Sequence, residues 1–318
     1  MPTRKKKEFA QLAWDDRLAA NWRQILALAL AEDLGDGCLG GVCDDVTTAA
    51  LVPRSVMGRT AVAARQAGVI AGLPAIEATL QAVDKALTFQ PAVADGDLLD
   101  RGGEVGRLAG PAASILMAER LVLNLLGRLS GIATLTRRYV DAVAGTGARI
   151  YDTRKTTPGW RRLEKYAVRC GGGSNHREAL FSAVLIKDNH LALGAQAAES
   201  GLGFSPAEAV RRARAQLEEQ RGAAADWIVE VEVDTYEQLK EVLPAQPDIV
   251  LLDNMAPPLL RKAVALRNQV APDVELEASG GVDLDTVRSI AESGVDRISV
   301  GALTHSAPSM DLGLDWLA

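Results

Sequence analysis

Between Asp15 and about Leu34 the apolar residues Leu18, Trp22, Ile25, Leu26 and Leu30 fall at helical spacing, and Gly35 ends the run. This predicts an amphipathic helix with one packed face. The following stretch, GDGCLGGVCDDVTT (35–48), is rich in turn formers. Short β-type runs come next, around Thr60–Ala64 and Val69–Ala71, and Asp95-Gly96 marks a further turn. The first third therefore reads as α+β without strict alternation. Gly110-Pro111 opens a long helical pattern that runs to Val143, with Gly127 and Gly131 expected to break or kink it into two helices.

From residue 149 the pattern changes. Short apolar runs recur, each closed by polar residues or glycine: RIYDTRK, AVLIKDNH, WIVEVEVDT, DIVLLDN, VELEASGG and RISVGA. Helical segments lie between most of them, at Ser205–Arg221, Thr235–Leu243, Pro258–Gln269 and Asp285–Ser293. Such alternation means a parallel sheet, and six or seven such units with functional groups at the strand ends predict an α/β barrel. A doubly wound open sheet is the competing architecture, but no dinucleotide-type glycine fingerprint supports it.

Composition narrows the function. The 318 residues carry a net charge of −6, which argues against a general nucleic-acid binder. Three cysteines, Cys38, Cys43 and Cys170, are too few and odd in number for a disulfide framework and fit a reducing cytoplasm. A zinc site at Cys38 and Cys43 would need two more ligands, and no His or Cys lies near them in sequence. No run approaches a membrane span, and the basic tip MPTRKKKEF lacks an apolar segment behind it. That tip reads as a solvated tail, and the expected location is cytoplasmic.

Against this acidic background, residues 152–190 hold eight Lys or Arg, two of the three histidines and the Gly171–Gly173 run. Arg154 and Lys155 close one predicted strand, His176 and Arg177 follow the glycines, and Lys187 closes the next strand on the face opposite Val184 and Ile186. Two like charges about 4 Å apart repel by about 4 kcal/mol at an effective dielectric near 20, so such a cluster calls for an anion or neighbouring acids. Arginine suits carboxylates in particular. Acids are indeed expected nearby. Glu230 and Glu232 share one strand face, the valines of VEVEV the other, and Asp253 closes the apolar DIVLL run. The last two strands end in Ser279-Gly280-Gly281 and Gly301, backbone suited to a phosphate at the strand ends. Arg120, set among Leu116, Leu121, Val122 and Leu125, reads either as a side chain snorkelling from a helix edge or as a charge that reaches a site or a neighbouring subunit. His190 and His305 carry less weight, His190 fitting a cap or packing contact as well as a ligand.

The runs DTRKTTPG, EKYAVRCGGGSNHR, LIKDNH, VEVEVDT, LLDN, EASGG and VGALTHS, together with EDLGDG, DVTT, GVIAGL and ERLVLNLLGRLSGIAT, resemble the quinolinate phosphoribosyltransferase family from Leu26 to the C-terminus. The resemblance implies a magnesium-dependent pentosyltransferase of NAD biosynthesis. Its substrates would be quinolinate and phosphoribosyl pyrophosphate, and its products nicotinate mononucleotide, pyrophosphate and carbon dioxide. It also implies an open-sandwich α+β domain over 1–125, completed by 306–318, and an incomplete seven-stranded α/β barrel over 126–305. A homodimer is implied in which one subunit supplies Arg120 to the other. Carried over motif by motif, Arg120, Arg154, His176, Arg177 and Lys187 would hold quinolinate. Lys155, Glu232 and Asp253 would handle phosphoribosyl pyrophosphate and act catalytically, with Glu232 and Asp253 on the metal directly or through water. Ser279, Gly280 and Gly301 would take the 5′-phosphate.

Two features depart from the family pattern: the CLGGVC insertion after Gly37, and Glu178-Ala179 directly after Asn175-His176-Arg177. Neither removes a residue with an implied role. The competing functions are a related phosphoribosyltransferase of the branch associated with molybdate transport, and a catalytically silent ligand-binding homologue. A silent protein would have no need for both a dicarboxylate cage and metal-binding acids.

Overall fold

The computed structural model describes residues 6–35, 45–197, 204–221 and 227–317. The Cys38–Cys43 loop lies outside these residues, as do the first five of the basic tip. In chain order the strands are β1 Met57–Ala64, β2 Gly68–Val69, β3 Thr88–Pro91, β4 Leu98–Leu99, β5 Glu104–Pro111, β6 Arg149–Tyr151, β7 Val184–Ile186, β8 Val229–Val233, β9 Ile249–Asp253, β10 Glu275–Ser279, β11 Arg297–Ser299 and β12 Leu312–Trp316. They belong to two compact units. One gathers Leu12–Arg137, Lys155–Gly173 and Leu303–Ala318, and the other Met1–Gln11, Arg138–Arg154 and Ser174–Ala302.

The first unit holds an antiparallel sheet in the order β12-β1-β5-β3. Its core joins Val62 and Leu108 of the sheet to Ile76 and Leu80 of the helix Leu73–Val83 and to Ile115, Val122 and Leu126 of the helix Ala112–Ala142. The first expected helix forms as Asp16–Leu34, where the Asp15 carboxylate accepts the Leu18 N–H at 2.8 Å and Gly35, at φ 86°, ends it. Part of the stretch read as turns is helical instead. Val46–Leu51 winds a short helix whose free N–H groups at Thr47 and Thr48 are taken by Asp45.

The glycines of the long helix behave differently from expectation. Ala112–Ala142 is one helix of 31 residues, unbroken at Gly127 and Gly131. A Cβ at Gly131 would lie 2.0 Å from the Pro308 carbonyl oxygen, and one at Gly127 2.9 Å from that of Met310. The Met310 N–H donates to the Gly127 carbonyl at 2.8 Å. Both glycines thus admit the backbone of the C-terminal segment, which goes on to pair β12 with β1. The boundary placed at residue 125 falls inside this helix, whereas the compact units change between Arg137 and Arg138.

The second unit is a parallel sheet in the order β6-β11-β10-β9-β8-β7. Strands β7 to β11 are adjacent in chain order, and β11 then pairs with β6, the first of the series. Tyr151 of β6 makes an isolated parallel bridge to Ser174. The predicted helices alternate with the strands as Pro206–Arg221, Tyr236–Val242, Pro257–Val270 and Val287–Ala291. Thr235 and Gln238 form a capping box at the second of them.

Within this unit the described part of the basic tip is not a solvated tail. Lys6 pairs with Asp296 at 3.2 Å and Glu275 at 3.5 Å, and Lys7 donates to the Trp227 carbonyl at 2.6 Å. Phe9 is buried with its ring centroid 4.4 Å from that of His176. Lys6 and Lys7 meet acids that stand just before or at the start of β9, β10 and β11, so charge pairing fixes the segment to the amino-terminal ends of the strands. Beside it, fully buried Arg297 donates from Nε to Glu275 at 2.7 Å and stacks 4.7 Å from the Tyr151 ring.

Candidate active site

Parallel register brings the carboxyl ends of the strands to one edge. Tyr151 lies opposite Ser299, Ser279 opposite Asp253, and Leu252 opposite Val233. Arg154, Lys187, Glu232, Asp253, Ser279 and Gly301 therefore all sit at or just beyond the same end of the sheet. This is the end at which α/β proteins bind ligands.

The acids come from β8 and β9 because valine and leucine occupy the alternating packed positions. Val229, Val231 and Val233 are buried, Glu230 is fully buried on the other face, and the Glu232 side chain is 10% exposed. Glu232 pairs with the Lys187 ammonium. Burial raises the Glu232 pKa most; Lys187 opposes that shift, and the charges of Asp253 and Asp188 add to it. Asp253 accepts from the Asn254 side-chain amide at 2.7 Å, and the Asn254 N–H donates to the Ser279 carbonyl at 2.9 Å, so the ends of β9 and β10 are tied together. Gly280, at φ 93°, is required here, since a Cβ would lie 2.3 Å from Asn254 Oδ1.

The cations come from β6, the 174–177 segment and β7. Arg177 is 7% exposed, and its pKa is lowered by burial first and then by the charge of Arg154, with Glu230 opposing. The predicted repulsion between clustered cations is thus present, with an acid alongside. His176 is 5% exposed. Its N–H donates to Asp152 Oδ1 at 2.9 Å, and its Nδ1 accepts the Arg177 N–H at 2.8 Å. An accepting nitrogen carries no proton, so the ring hydrogen is on Nε2, which faces Glu230 at 3.0 Å and Glu277 at 3.5 Å. Nδ1 is thus taken up by the Arg177 N–H, and Nε2 lies among carboxylates of its own unit. The same tautomer leaves Nε2 no lone pair for a metal, although the three side chains are close enough to surround one.

Two expected site residues belong to the other compact unit. Lys155 is exposed there, and its carbonyl accepts the Thr304 hydroxyl at 2.7 Å. Arg120, with its side chain 72% exposed, lies 3.7 Å from Glu119. His190 caps a turn, its Nδ1 accepting the Lys187 N–H at 2.9 Å. Sequence reasoning passed over Asp152 and Glu277. Burial pushes the Glu277 carboxyl up to about 7, with His176 opposing. Its signal was available: VELEAS repeats the alternation of apolar residue and glutamate seen in VEVEV.

Comparison with known proteins fits this arrangement. Residues 45–130 match the family model described as quinolinate phosphoribosyl transferase, N-terminal domain, and residues 132–315 the C-terminal domain of the same family. A nicotinate-nucleotide pyrophosphorylase [carboxylating] of Mycobacterium leprae is 42% identical over 298 residues, covering 92% of this chain and 96% of the relative. A mitochondrial quinolinate phosphoribosyltransferase [decarboxylating] of Nicotiana tabacum is 39% identical over 307 residues, covering 92% and 81%. Among solved structures, the nicotinate-nucleotide pyrophosphorylase from Francisella tularensis superposes with a TM-score of 0.82 at 32% identity, covering 94% of this chain and 97% of that one.

Proposed function

Because this chain belongs to the quinolinate phosphoribosyl transferase family, we propose that it transfers the phosphoribosyl group of phosphoribosyl pyrophosphate to quinolinate with decarboxylation. The products are nicotinate mononucleotide, pyrophosphate and carbon dioxide, a step of NAD biosynthesis. The observation that carries this reading is the meeting, at one end of the strands, of a cationic half, Arg154, Arg177 and Lys187, with an acidic half, Glu232 and Asp253, joined where Lys187 pairs with Glu232.

In this reading Arg154, Arg177 and Lys187 hold the two carboxylates of quinolinate, and exposed Arg120 serves a second copy of the chain in a homodimer. His176 orders the turn from which Arg177 projects. Ser279, Gly280 and Gly301 offer backbone and hydroxyl donors to the 5′-phosphate. The charge of Asp253 adds to the cost of ionising Glu232, and a hard divalent cation relieves it, so an oxygen donor set of this kind fits magnesium. Magnesium, when bound, supplies charge neutralisation for the departing pyrophosphate. The family's motif assigns Lys155 to phosphoribosyl pyrophosphate as well.

Departure of pyrophosphate leaves oxocarbenium character on the ribose, which the acidic half stabilises electrostatically. Bond formation to the ring nitrogen then makes a pyridinium, the electron sink for loss of the adjacent carboxylate as carbon dioxide; the bonding pair stays on that ring carbon, which takes up a proton from solvent. No covalent enzyme intermediate is required, so rate depends on positioning. The Tyr151–Ser174 bridge would make the 174 segment a seventh strand of an incomplete barrel, with its gap before β7. No helix among the described residues is long and apolar enough to cross a membrane, and we assign the protein to the cytoplasm.

Steady-state kinetics tests the assignment. Arg154→Ala and Lys187→Ala each remove a charge-assisted contact of about 1.5–3 kcal/mol, so the KM for quinolinate rises about 10- to 100-fold. Unchanged quinolinate dependence in both variants refutes it, as does a wild-type protein that forms product from another aromatic acid only.

A further inference from the structure

The loop Lys155–Thr157 is exposed or half-exposed, yet it is held from three directions by polar groups of its own compact unit. The Lys155 carbonyl accepts the Thr304 hydroxyl at 2.7 Å. The Thr156 hydroxyl accepts Arg161 Nε at 3.0 Å. Thr157 donates its backbone N–H to Glu164 Oε2 at 3.0 Å and its hydroxyl to Oε1 at 2.9 Å.

Glu164 is fully buried. A buried carboxylate is costly unless it is paired, and Arg128 from the long helix donates to it at 2.6 Å. The same guanidinium donates to the Ala307 carbonyl at 3.1 Å and to the Thr304 carbonyl. The contacts close a ring: Lys155 to Thr304, Thr304 to Arg128, Arg128 to Glu164, Glu164 to Thr157 and back along the chain to Lys155. Buried charge is here spent on fixing an exposed loop, which by itself buries little. A loop is otherwise a poor platform for a reacting group, because small displacements carry large rate penalties.

We propose that Glu164, Arg128 and Thr304 are positioning residues that hold the Lys155–Thr157 loop in register for phosphoribosyl transfer. They act through Lys155 and need not touch either substrate. The inference rests on the assignment of Lys155 to phosphoribosyl pyrophosphate made above.

Thr304→Val removes the hydroxyl and keeps the shape, and Glu164→Gln keeps an acceptor while dropping the charge that Arg128 pairs. Two readouts separate the possibilities. Backbone hydrogen exchange across 155–157, taken on the protein alone, rises at least about 10-fold in both variants as local opening becomes easier. In kinetics, kcat/KM for phosphoribosyl pyrophosphate falls about 10- to 100-fold, as expected for a misplacement near 1 Å, with the KM for quinolinate unchanged. Thr304→Ser restores it, which a loss of bulk packing would not allow. Unchanged exchange overturns the clamp. Raised exchange with unaltered kinetics overturns its role in transfer. A wild-type protein inactive on these substrates, with exchange raised in the variants, sinks the functional assignment and leaves the clamp standing.

Discussion

Gly131→Ala isolates the use that the fold makes of a glycine in the middle of a long helix. At an exposed helical position this change would stabilise by about 1 kcal/mol, since alanine is the better helix former. Here the added Cβ would lie 2.0 Å from the Pro308 carbonyl oxygen, 3.0 Å from the Pro308 carbonyl carbon and 3.1 Å from Ser309 Cα. The closest of these is more than 1 Å, roughly, inside ordinary contact, and all three atoms are backbone, which cannot rotate away. Overpacking of this kind costs about 1–3 kcal/mol or more, and it loosens the segment that leads into β12. We therefore expect a net loss of about 2 kcal/mol, or a drop of roughly 3 °C in Tm for a chain of this size. Gly127→Ala is the internal control. Its Cβ would approach the Met310 backbone oxygen to 2.9 Å, a far smaller overlap than at Gly131, so the helix-propensity gain offsets more of the clash and Tm moves by less than about 1.5 °C. Calorimetric melts of the three proteins decide the matter. A Gly131→Ala protein that melts above wild type would show that the C-terminal segment does not pack on the helix as described.

Glu277 holds its proton in the folded state up to about 7, whereas the unfolded chain loses it near 4.5. The folded state therefore binds more protons between these values, and stability drains away as pH rises through that window, by about 3 kcal/mol in all. Glu277→Gln removes this dependence, so its Tm advantage over wild type should be larger at pH 8 than at pH 5; an advantage that ignores pH refutes the account. Arg297→Met leaves buried Glu275 without its closest partner and should cost about 3 kcal/mol in urea unfolding, while adding Glu275→Gln recovers most of that loss. No recovery in the double variant would mean that packing, and not charge, dominates. Asp253→Ala should lower kcat by about 100-fold or more with the KM for quinolinate little changed, and a pure KM effect would place Asp253 outside the reacting half of the site.

The alternation of strands and helices after residue 149 was readable because a parallel strand packed on both faces shows as a short apolar run, with polar residues only where it ends. The valine-glutamate alternation of β8 also told which side chains share a face. Asp45 was misread because a capping residue and a turn residue are the same residue, and only the continuing chain separates them. Gly127 and Gly131 were misread for a related reason: a helix breaker and a docking notch look alike until the segment that fills the notch, about 180 residues further on in the chain, is in place. Lys6, Lys7 and Phe9 looked like a tail because their acidic and aromatic partners are equally remote in sequence.

By itself the sequence determined the strand–helix alternation behind the parallel sheet of the second unit, the family, and which cations and acids stand at the ends of its strands. These follow from local periodicity and from residue chemistry, which need no knowledge of distant contacts. Only the tertiary structure decided what each polar group spends its hydrogen bonds on. It set the His176 backbone on Asp152 and its Nδ1 on the Arg177 N–H, with Nε2 3.0 Å from Glu230, and it brought Thr304 and Glu164 to the Lys155 loop. Hydrogen bonds are short and directional, so a donor's partner is fixed by the packing of elements far apart in the chain, and no local pattern can announce it.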